Sequence, residues 1–284
     1  MSERIPLPRK EKEYPAIREM FRIPHSVSVE AFRETFRDIP IPQVPPISER
    51  PLEPGEQIPL SKGEIEGLIT STYEYVRQYW KEVFRAEGWH HEGSALKIFS
   101  GEIKTACGEW SEGRGPMFCS ADNTIYFPPS SYTKLQERFF AAANEHSITY
   151  LISHEMAHYA QNQIGIAQKS MNAMKRAQNP EEEAYIDRAI ELHADFLAGC
   201  TLRKAHDSAG ILQQDDAIRL YWMAASLGDD VSHVRHDRRV APAHLTHGLA
   251  LERAQALWAG LSSGDWKQAE AFINTHFNTS EKTS

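Results

Sequence analysis

Apolar side chains recur every three or four positions in several stretches of the chain, which is the spacing that one face of a helix requires. At residues 61–87 the stripe is rich in aromatic residues and lies between Ser61, a residue type that caps helix starts, and Gly88. We predict a long core helix there. The same spacing predicts further helices over residues 148–165, 179–205 and 211–227, and two within residues 249–277.

Two short runs of branched and aromatic residues predict strands instead. They cover residues 95–100 and 123–127, and Pro128 and Pro129 end the second run. A few short strands among many helices indicate an α+β, mainly helical fold with a small sheet.

Residues 1–60 differ from the rest of the chain because they hold eleven of the 16 prolines. Such a segment cannot form long helices or central strands. Three interpretations stay open: an extended arm packed on the domain, a proline-rich docking site, or a segment that inhibits the protein by covering its site. We predict a proline-rich arm at residues 1–60, a single domain at 61–277 and a polar tail at 278–284.

Charge and hydropathy restrict the partners. Lysine and arginine total 31 against 39 aspartate and glutamate, giving a net charge of −8, so no basic footprint favours nucleic acid or anionic lipid. No apolar run is long enough for a membrane span, and the charged N-terminus lacks the apolar core of a signal peptide. These patterns predict a cytoplasmic protein with no membrane span and no nucleic-acid partner.

The candidate chemistry begins with the sequence HEMAH. His154 and His158 stand four residues apart in a predicted helix, so both imidazoles lie on one face and can bind a single metal ion. Glu155 lies beside that face, where a carboxylate can take a proton from a metal-activated water. We expect Glu155 to be the general base.

A third ligand is expected from residues 179–205. Asn179 and Pro180 predict the start of a helix, within which Glu191 and Asp195 share one face. Two histidines and one carboxylate form a catalytic zinc site with one open position. We therefore assign Glu191 as a ligand, and Asp195 as the acceptor of the ring N–H of His154.

These residues resemble the bacterial neutral zinc metallopeptidase family, which is of the gluzincin type. Its HExxHxxQ and ELxAD motifs match His154, Glu155, His158, Gln161, Glu191, Leu192, Ala194 and Asp195. Residues 107–127, 224–230 and 246–265 resemble three further family segments in the same order. The resemblance implies a zincin-like domain, Zn²⁺ as cofactor and a protein or peptide substrate.

The resemblance also implies roles for two residues near the C-terminus. His247 and Arg253 match a histidine followed six residues later by arginine that, in related gluzincins, reaches the reaction site. We expect His247 to donate a hydrogen bond to the oxyanion formed during hydrolysis, a contribution of about 3 kcal/mol for a donor of this kind. Arg253 is expected to orient Glu191 or His247.

Zincins hold the substrate backbone against a strand edge, so we expect Asn123, Thr124, Ile125 and Tyr126 to bind substrate; an ordinary sheet edge is the rival interpretation.

Cys107 and Cys119 could form a disulfide or a metal site, or be unrelated buried residues. The family resemblance implies a bridge between them. A cytoplasmic location would keep them reduced.

The expected function is zinc-dependent hydrolysis of peptide bonds, with His154, His158 and Glu191 as ligands and Glu155 as base. An alternative is a metal-containing binding or scaffold protein that recruits a partner through its proline-rich arm. A structural metal site has no need of a base, so the presence of Glu155 favours the enzyme. A third interpretation is a protease kept latent by residues 1–60.

Overall fold

The computed structural model describes residues 60–139, 145–212, 214–234 and 242–278. The predicted arm and tail lie almost wholly outside these residues. The three interpretations of the arm and the division into arm, domain and tail therefore stay predictions.

Helices dominate the described residues, together with five short strands. In chain order the elements are α1 (Lys62–Ala86), β1 (Ala95–Ile98), β2 (Glu102–Thr105), β3 (Gly108–Ser111), β4 (Met117–Cys119), β5 (Thr124–Phe127), α2 (Ser130–Phe139), α3 (Glu145–Gln163), α4 (Ile166–Met174), α5 (Pro180–Ala209), α6 (Gln214–Ser226), α7 (Asp229–Val234), α8 (Ala250–Ser263) and α9 (Ala269–Asn278). The α+β, mainly helical class is confirmed.

Helix α1 forms where the first aromatic stripe predicts it. Ser61 Oγ accepts a hydrogen bond from the Glu64 amide at 3.3 Å, and the Glu64 carboxylate accepts one from the Ser61 amide at 2.7 Å. This reciprocal pair satisfies two donors that a helix start otherwise leaves open. Ile69, Trp80 and Phe84 are buried and join the main core, where α1 packs on α3. The predicted core role of the stripe is confirmed.

The main sheet has the strand order β1-β5-β4. Strand β5 lies in the middle, parallel to β1 and antiparallel to β4. Strands β1 and β5 were predicted, whereas β4 and the antiparallel pair β2–β3 were not. All five strands have only three or four residues, too few for a clear alternation of apolar and polar positions, so β1 and β5 were predicted from their branched and aromatic residues.

A disulfide joins Cys107, in the turn between β2 and β3, to Cys119 at the end of β4. Of the alternatives left open for these two cysteines, the structure has the bridge that the family resemblance implied. It fixes the β2–β3 pair to the sheet and closes a loop that contains residues 108–118.

Helix α3 differs in its bounds from the prediction. Its described part begins at Glu145, so Ser147 lies within the helix and is buried. Gly165 adopts a left-handed conformation with φ of 81° and links α3 to α4, a helix that the sequence analysis did not predict. Glycine suits this position because a side chain is strained at such φ values.

Helices α5 and α8 cross at two glycines. A Cβ atom on Gly260 would lie 1.9 Å from the Phe196 carbonyl oxygen, and one on Gly199 would lie 2.2 Å from the Leu257 carbonyl oxygen. Only glycine allows the two backbones to approach this closely. The contact brings α8 onto α5, the helix that carries Glu191.

A partly buried carboxylate, that of Glu252, stabilises the start of α8. Glu252 accepts a hydrogen bond from the Leu249 amide at 2.9 Å, and its oxygens lie 3.2 Å from His276 Nε2 and 3.7 Å from Arg188 Nε. Burial raises the pKa of Glu252, but the His276 and Arg188 side chains outweigh burial and lower it. The charged form of Glu252 therefore stabilises the folded state.

None of the helices in the described part of the chain has the length and apolar character needed to cross a membrane.

Candidate active site

Three candidate ligand side chains converge between α3 and α5. His154 Nε2 lies 3.1 Å from His158 Nε2 and 3.1 Å from a Glu191 oxygen. The other Glu191 oxygen lies 3.3 Å from His158 Nε2. Within the described residues, this is the group of histidine, cysteine and acidic side chains whose ligand atoms come close enough to hold a metal ion.

Hydrogen bonds behind the two imidazoles fix their orientation. His154 Nδ1 lies 2.8 Å from an Asp195 oxygen, where Asp195 was expected to act. His158 Nδ1 lies 2.8 Å from Gln161 Oε1, and the Gln161 amide donates to the Ile190 carbonyl at 2.8 Å. Both Nδ1 atoms are therefore protonated donors, which leaves each Nε2 with a lone pair toward the common point.

The geometry fits a zinc ion. Two imidazole lone pairs and a carboxylate facing one another at 3.1–3.3 Å repel unless a cation lies between them. Ligand atoms on a tetrahedral zinc with bonds of about 2.0–2.1 Å are about 3.3 Å apart. The three side chains thus match three corners of such a site, on the wall of an open cleft.

The electrostatic field of the site also favours positive charge. Burial lowers the pKa of His154, but the carboxylates of Asp195 and Glu191 outweigh burial and raise it to about 10. Burial raises the pKa of Glu191, but His158 and His154 outweigh burial and hold it well below its ordinary range. A proton or a metal ion at this point is stabilised by the same carboxylates.

Asp195 is a buried hub behind the ligands. Its Oδ1 accepts hydrogen bonds from His154 and, at 2.7 Å, from the Tyr150 hydroxyl. Arg253 Nε donates to Oδ2 at 2.8 Å, and Arg253 Nη2 donates to Oδ1 at 3.1 Å. Arg253 thus contacts Asp195, whereas it was expected to orient Glu191 or His247. Its guanidinium holds Asp195, and through Asp195 it positions His154.

Glu155 lies in the cleft beside the ligands. It is 8% exposed, and among the described residues its carboxylate has no hydrogen bond or ion pair. A general base needs such freedom to exchange a proton with water.

His247 lines the same cleft with a side chain that is 59% exposed. Its amide donates to Asp229 Oδ2 at 2.8 Å, and its Nδ1 lies 3.5 Å from Asp229 Oδ1. The contact with Asp229, followed by the nearby Glu191 charge, raises the pKa of His247. The imidazole is thereby biased toward its doubly protonated form, in which both ring nitrogens are donors.

The strand predicted to bind substrate does not lie at an edge of its sheet. Strand β5 is paired on both sides, so Thr124, Ile125 and Tyr126 have no free edge to offer. Asn123 accepts from the side-chain amides of Asn162 and Gln163 and donates to Glu92. Within the described residues β4 pairs with β5 alone, and its Met117 and Phe118 line the cleft, which has a volume of about 720 Å³. Strand β4 is therefore the edge that faces the site.

Several site residues were not assigned by the sequence analysis. Gln161 matched a family motif but received no role, and Tyr150 gave no signal beyond an apolar helix position. Asp187 lies one turn before Glu191 and lines the cleft; burial and the Glu191 charge raise its pKa to about 6. Asp229 contacts the backbone amide and the ring of His247.

Comparisons with known proteins find relatives that match most of the chain. The chain is 28% identical over 225 residues to the "Uncharacterized protein YpfJ" of Escherichia coli K12, covering 79% of this chain and 75% of that protein. It is 26% identical over 217 residues to the "Uncharacterized protein Rv2575" of Mycobacterium tuberculosis H37Rv, covering 73% and 71%. No solved structure matches the chain.

A profile of the family described as "Putative neutral zinc metallopeptidase" matches residues 56–272. This match covers most of the chain and includes the two histidines, Glu155, Glu191 and the whole cleft. Zinc as the family's metal agrees with the three ligand atoms that the structure brings together. The chain belongs to the neutral zinc metallopeptidase family.

Proposed function

We propose that the protein is a zinc metalloendopeptidase of the gluzincin type, with a zincin-like domain at residues 61–277. The observation that carries this proposal is the convergence of His154, His158 and Glu191 at the wall of a cleft. The cleft also contains the carboxylate of Glu155, which has no partner among the described residues. A closed structural zinc site uses four protein ligands. Three ligands beside an open cleft favour catalysis over the alternative of a scaffold protein.

Zinc bound by these residues supplies a Lewis acid that polarises the scissile carbonyl and lowers the pKa of water toward 7. Glu155 takes a proton from the attacking water and passes it to the leaving amine. His247 donates a hydrogen bond to the oxyanion of the tetrahedral intermediate, and Asp229 holds the His247 backbone and ring in place. Asp195 and Gln161 keep the two ligand imidazoles oriented.

Strand β4 holds the substrate backbone in this proposal. Met117 and Phe118 of β4 line the cleft, and β4 pairs with no strand other than β5 among the described residues, so an extended peptide can add to the sheet there. Backbone hydrogen bonds bind peptides of many sequences, which suits an endopeptidase, and the cleft is large enough for several substrate side chains.

The Glu155→Gln variant tests the proposal, because it keeps the volume of the side chain and removes the base. We expect it to bind zinc as the wild type does and to lose at least about a hundredfold in the rate of cleavage of an unfolded protein. Zinc content by mass spectrometry and peptide release measure the two quantities. The matched control is Glu82→Gln at an exposed position of α1, and we expect this variant to cleave at the wild-type rate. Substantial cleavage by Glu155→Gln would contradict the assignment.

A further inference from the structure

One rim of the cleft carries two cations that the proposed chemistry does not use. Residues 113–118 line the cleft without interruption, from the turn after β3 into the free edge of β4. Arg114 lies in this segment, and Lys134 of α2 lines the cleft beside it. Lys134 Nζ donates to the Glu112 carbonyl at 3.0 Å, two residues before Arg114, so both cations belong to the same rim.

The rim holds Arg114 in place without neutralising it. The guanidinium carbon lies 3.6 Å from the centre of the Trp110 ring, a cation–π contact that uses its face and leaves its N–H edge free. The disulfide of Cys107 and Cys119 encloses this segment. No carboxylate of the described residues forms an ion pair with Arg114 or Lys134. The rim therefore presents available, preorganised positive charge.

Acidic side chains also line the cleft. Its acidic side chains, Glu155, Asp187, Glu191 and Asp229, all come from the helices around the ligand histidines. The third lysine or arginine that lines the cleft, Arg253, is engaged by Asp195. Within the described residues, Arg114 and Lys134 are therefore the cationic side chains of the cleft that no carboxylate pairs with.

The position of the rim determines which part of a bound peptide it meets. Antiparallel pairing is slightly more stable than parallel pairing, so an added strand on β4 runs antiparallel to it. The C-terminal part of the peptide then points toward the start of β4. Arg114 precedes Met117 by three residues, a span of at most about 11 Å. This is a length of about three substrate residues.

We propose that Arg114 and Lys134 form a subsite for a carboxylate located C-terminal to the scissile bond. The inference rests on the proposed peptidase function and adds a substrate preference to it. The carboxylate comes either from an aspartate or glutamate side chain or from the C-terminus of the peptide. Both present the same acceptor pair to the guanidinium and ammonium groups.

Quenched fluorescent peptides of one sequence test the subsite, with glutamate or glutamine placed in turn at each position around a single cleavable bond. We expect glutamate within about three positions on the C-terminal side to raise kcat/KM about fivefold over glutamine, the scale of partly exposed ion pairs. The ratio should fall to about one in Arg114→Gln/Lys134→Gln. Lys97→Gln, an exposed lysine on β1 at the other side of the sheet, should retain it.

Two further experiments are needed. One separates the two sources of the carboxylate, and the other separates the subsite from the peptidase function on which it rests. Peptides that end near the same position with a free or an amidated C-terminus show whether a terminal carboxylate is accepted. Fluorescence anisotropy with the zinc-loaded Glu155→Gln protein measures the same glutamate-to-glutamine ratio as affinity, without turnover. If no peptide is cleaved while this binding ratio persists and is lost in the double rim variant, the peptidase proposal fails and the subsite stands. A ratio unchanged in the double rim variant, absent from the wild type, or found only on the N-terminal side overturns the subsite.

Discussion

Replacing Asp195 by asparagine tests the network behind the ligands. The wild-type carboxylate is fully buried and accepts hydrogen bonds from Tyr150, His154 and Arg253. Asparagine has the same shape but no charge, and its amide presents donors to groups that are themselves donors. The substitution therefore leaves the buried guanidinium of Arg253, which is 5% exposed, without its counter-charge.

The magnitude follows from two separate losses. Removing one partner of a buried ion pair costs about 3–5 kcal/mol of unfolding free energy. Losing the acceptor behind a ligand imidazole weakens metal binding about 10- to 100-fold, which is about 1.4–2.7 kcal/mol. We expect the first loss in metal-free protein and both losses in zinc-loaded protein. Urea unfolding of each form and competition with a chelator measure them.

The exposed ion pair of Asp207 and Arg203 provides a control. Its atoms also lie 2.8 Å apart, but the side chains are 49% and 43% exposed. Asp207→Asn should therefore cost less than about 1 kcal/mol. A double variant with Arg253→Gln should lose less than the sum of Asp195→Asn and Arg253→Gln, because the charge left unpaired by each single change is then removed. Equal costs for Asp195→Asn and Asp207→Asn would refute the reasoning.

Three further predictions concern stability. Gly260→Ala should lower the free energy of unfolding in urea by about 3 kcal/mol, because the added Cβ meets backbone atoms. Gly67→Ala, at an exposed position of α1 with open space around it, should be neutral or slightly stabilising. Equal effects of the two substitutions would contradict the close crossing of α5 and α8. Cys107→Ser should cost about 3 kcal/mol and make stability insensitive to reducing agent, and a wild type equally insensitive would argue against the bridge. The lowered pKa of Glu252 contributes stability that is present above the unfolded pKa of about 4.3 and is lost as the pH falls through the folded pKa. Below about pH 4 the wild type should therefore lose stability more steeply than Glu252→Gln. Parallel curves of stability against pH for the two proteins would count against this contribution.

The sequence predicted those parts of the site that lie on one helix. His154, Glu155 and His158 are related by the helical period alone, as are Glu191 and Asp195, so spacing was enough to place them on shared faces. The family resemblance added His247, which lies in the cleft near the ligands. Local rules determine these positions before any tertiary contact forms.

The sequence did not predict contacts between segments that lie far apart along the chain. Tyr150 and Arg253 reach Asp195 from 45 and 58 residues away, and no local pattern indicates which buried acceptor such a donor meets. The same limit explains the error over β5. A central strand and an edge strand can have the same apolar composition, and only the pairing of β1 and β4 shows that β5 has no free edge.

The coordination of zinc tests the central claim most directly. X-ray absorption at the zinc edge should show two imidazoles and a carboxylate in the wild type, with an additional light-atom ligand from solvent. Glu191→Ala should lose the carboxylate contribution and bind zinc more weakly. A spectrum and zinc stoichiometry unchanged by Glu191→Ala would contradict the site described at His154, His158 and Glu191.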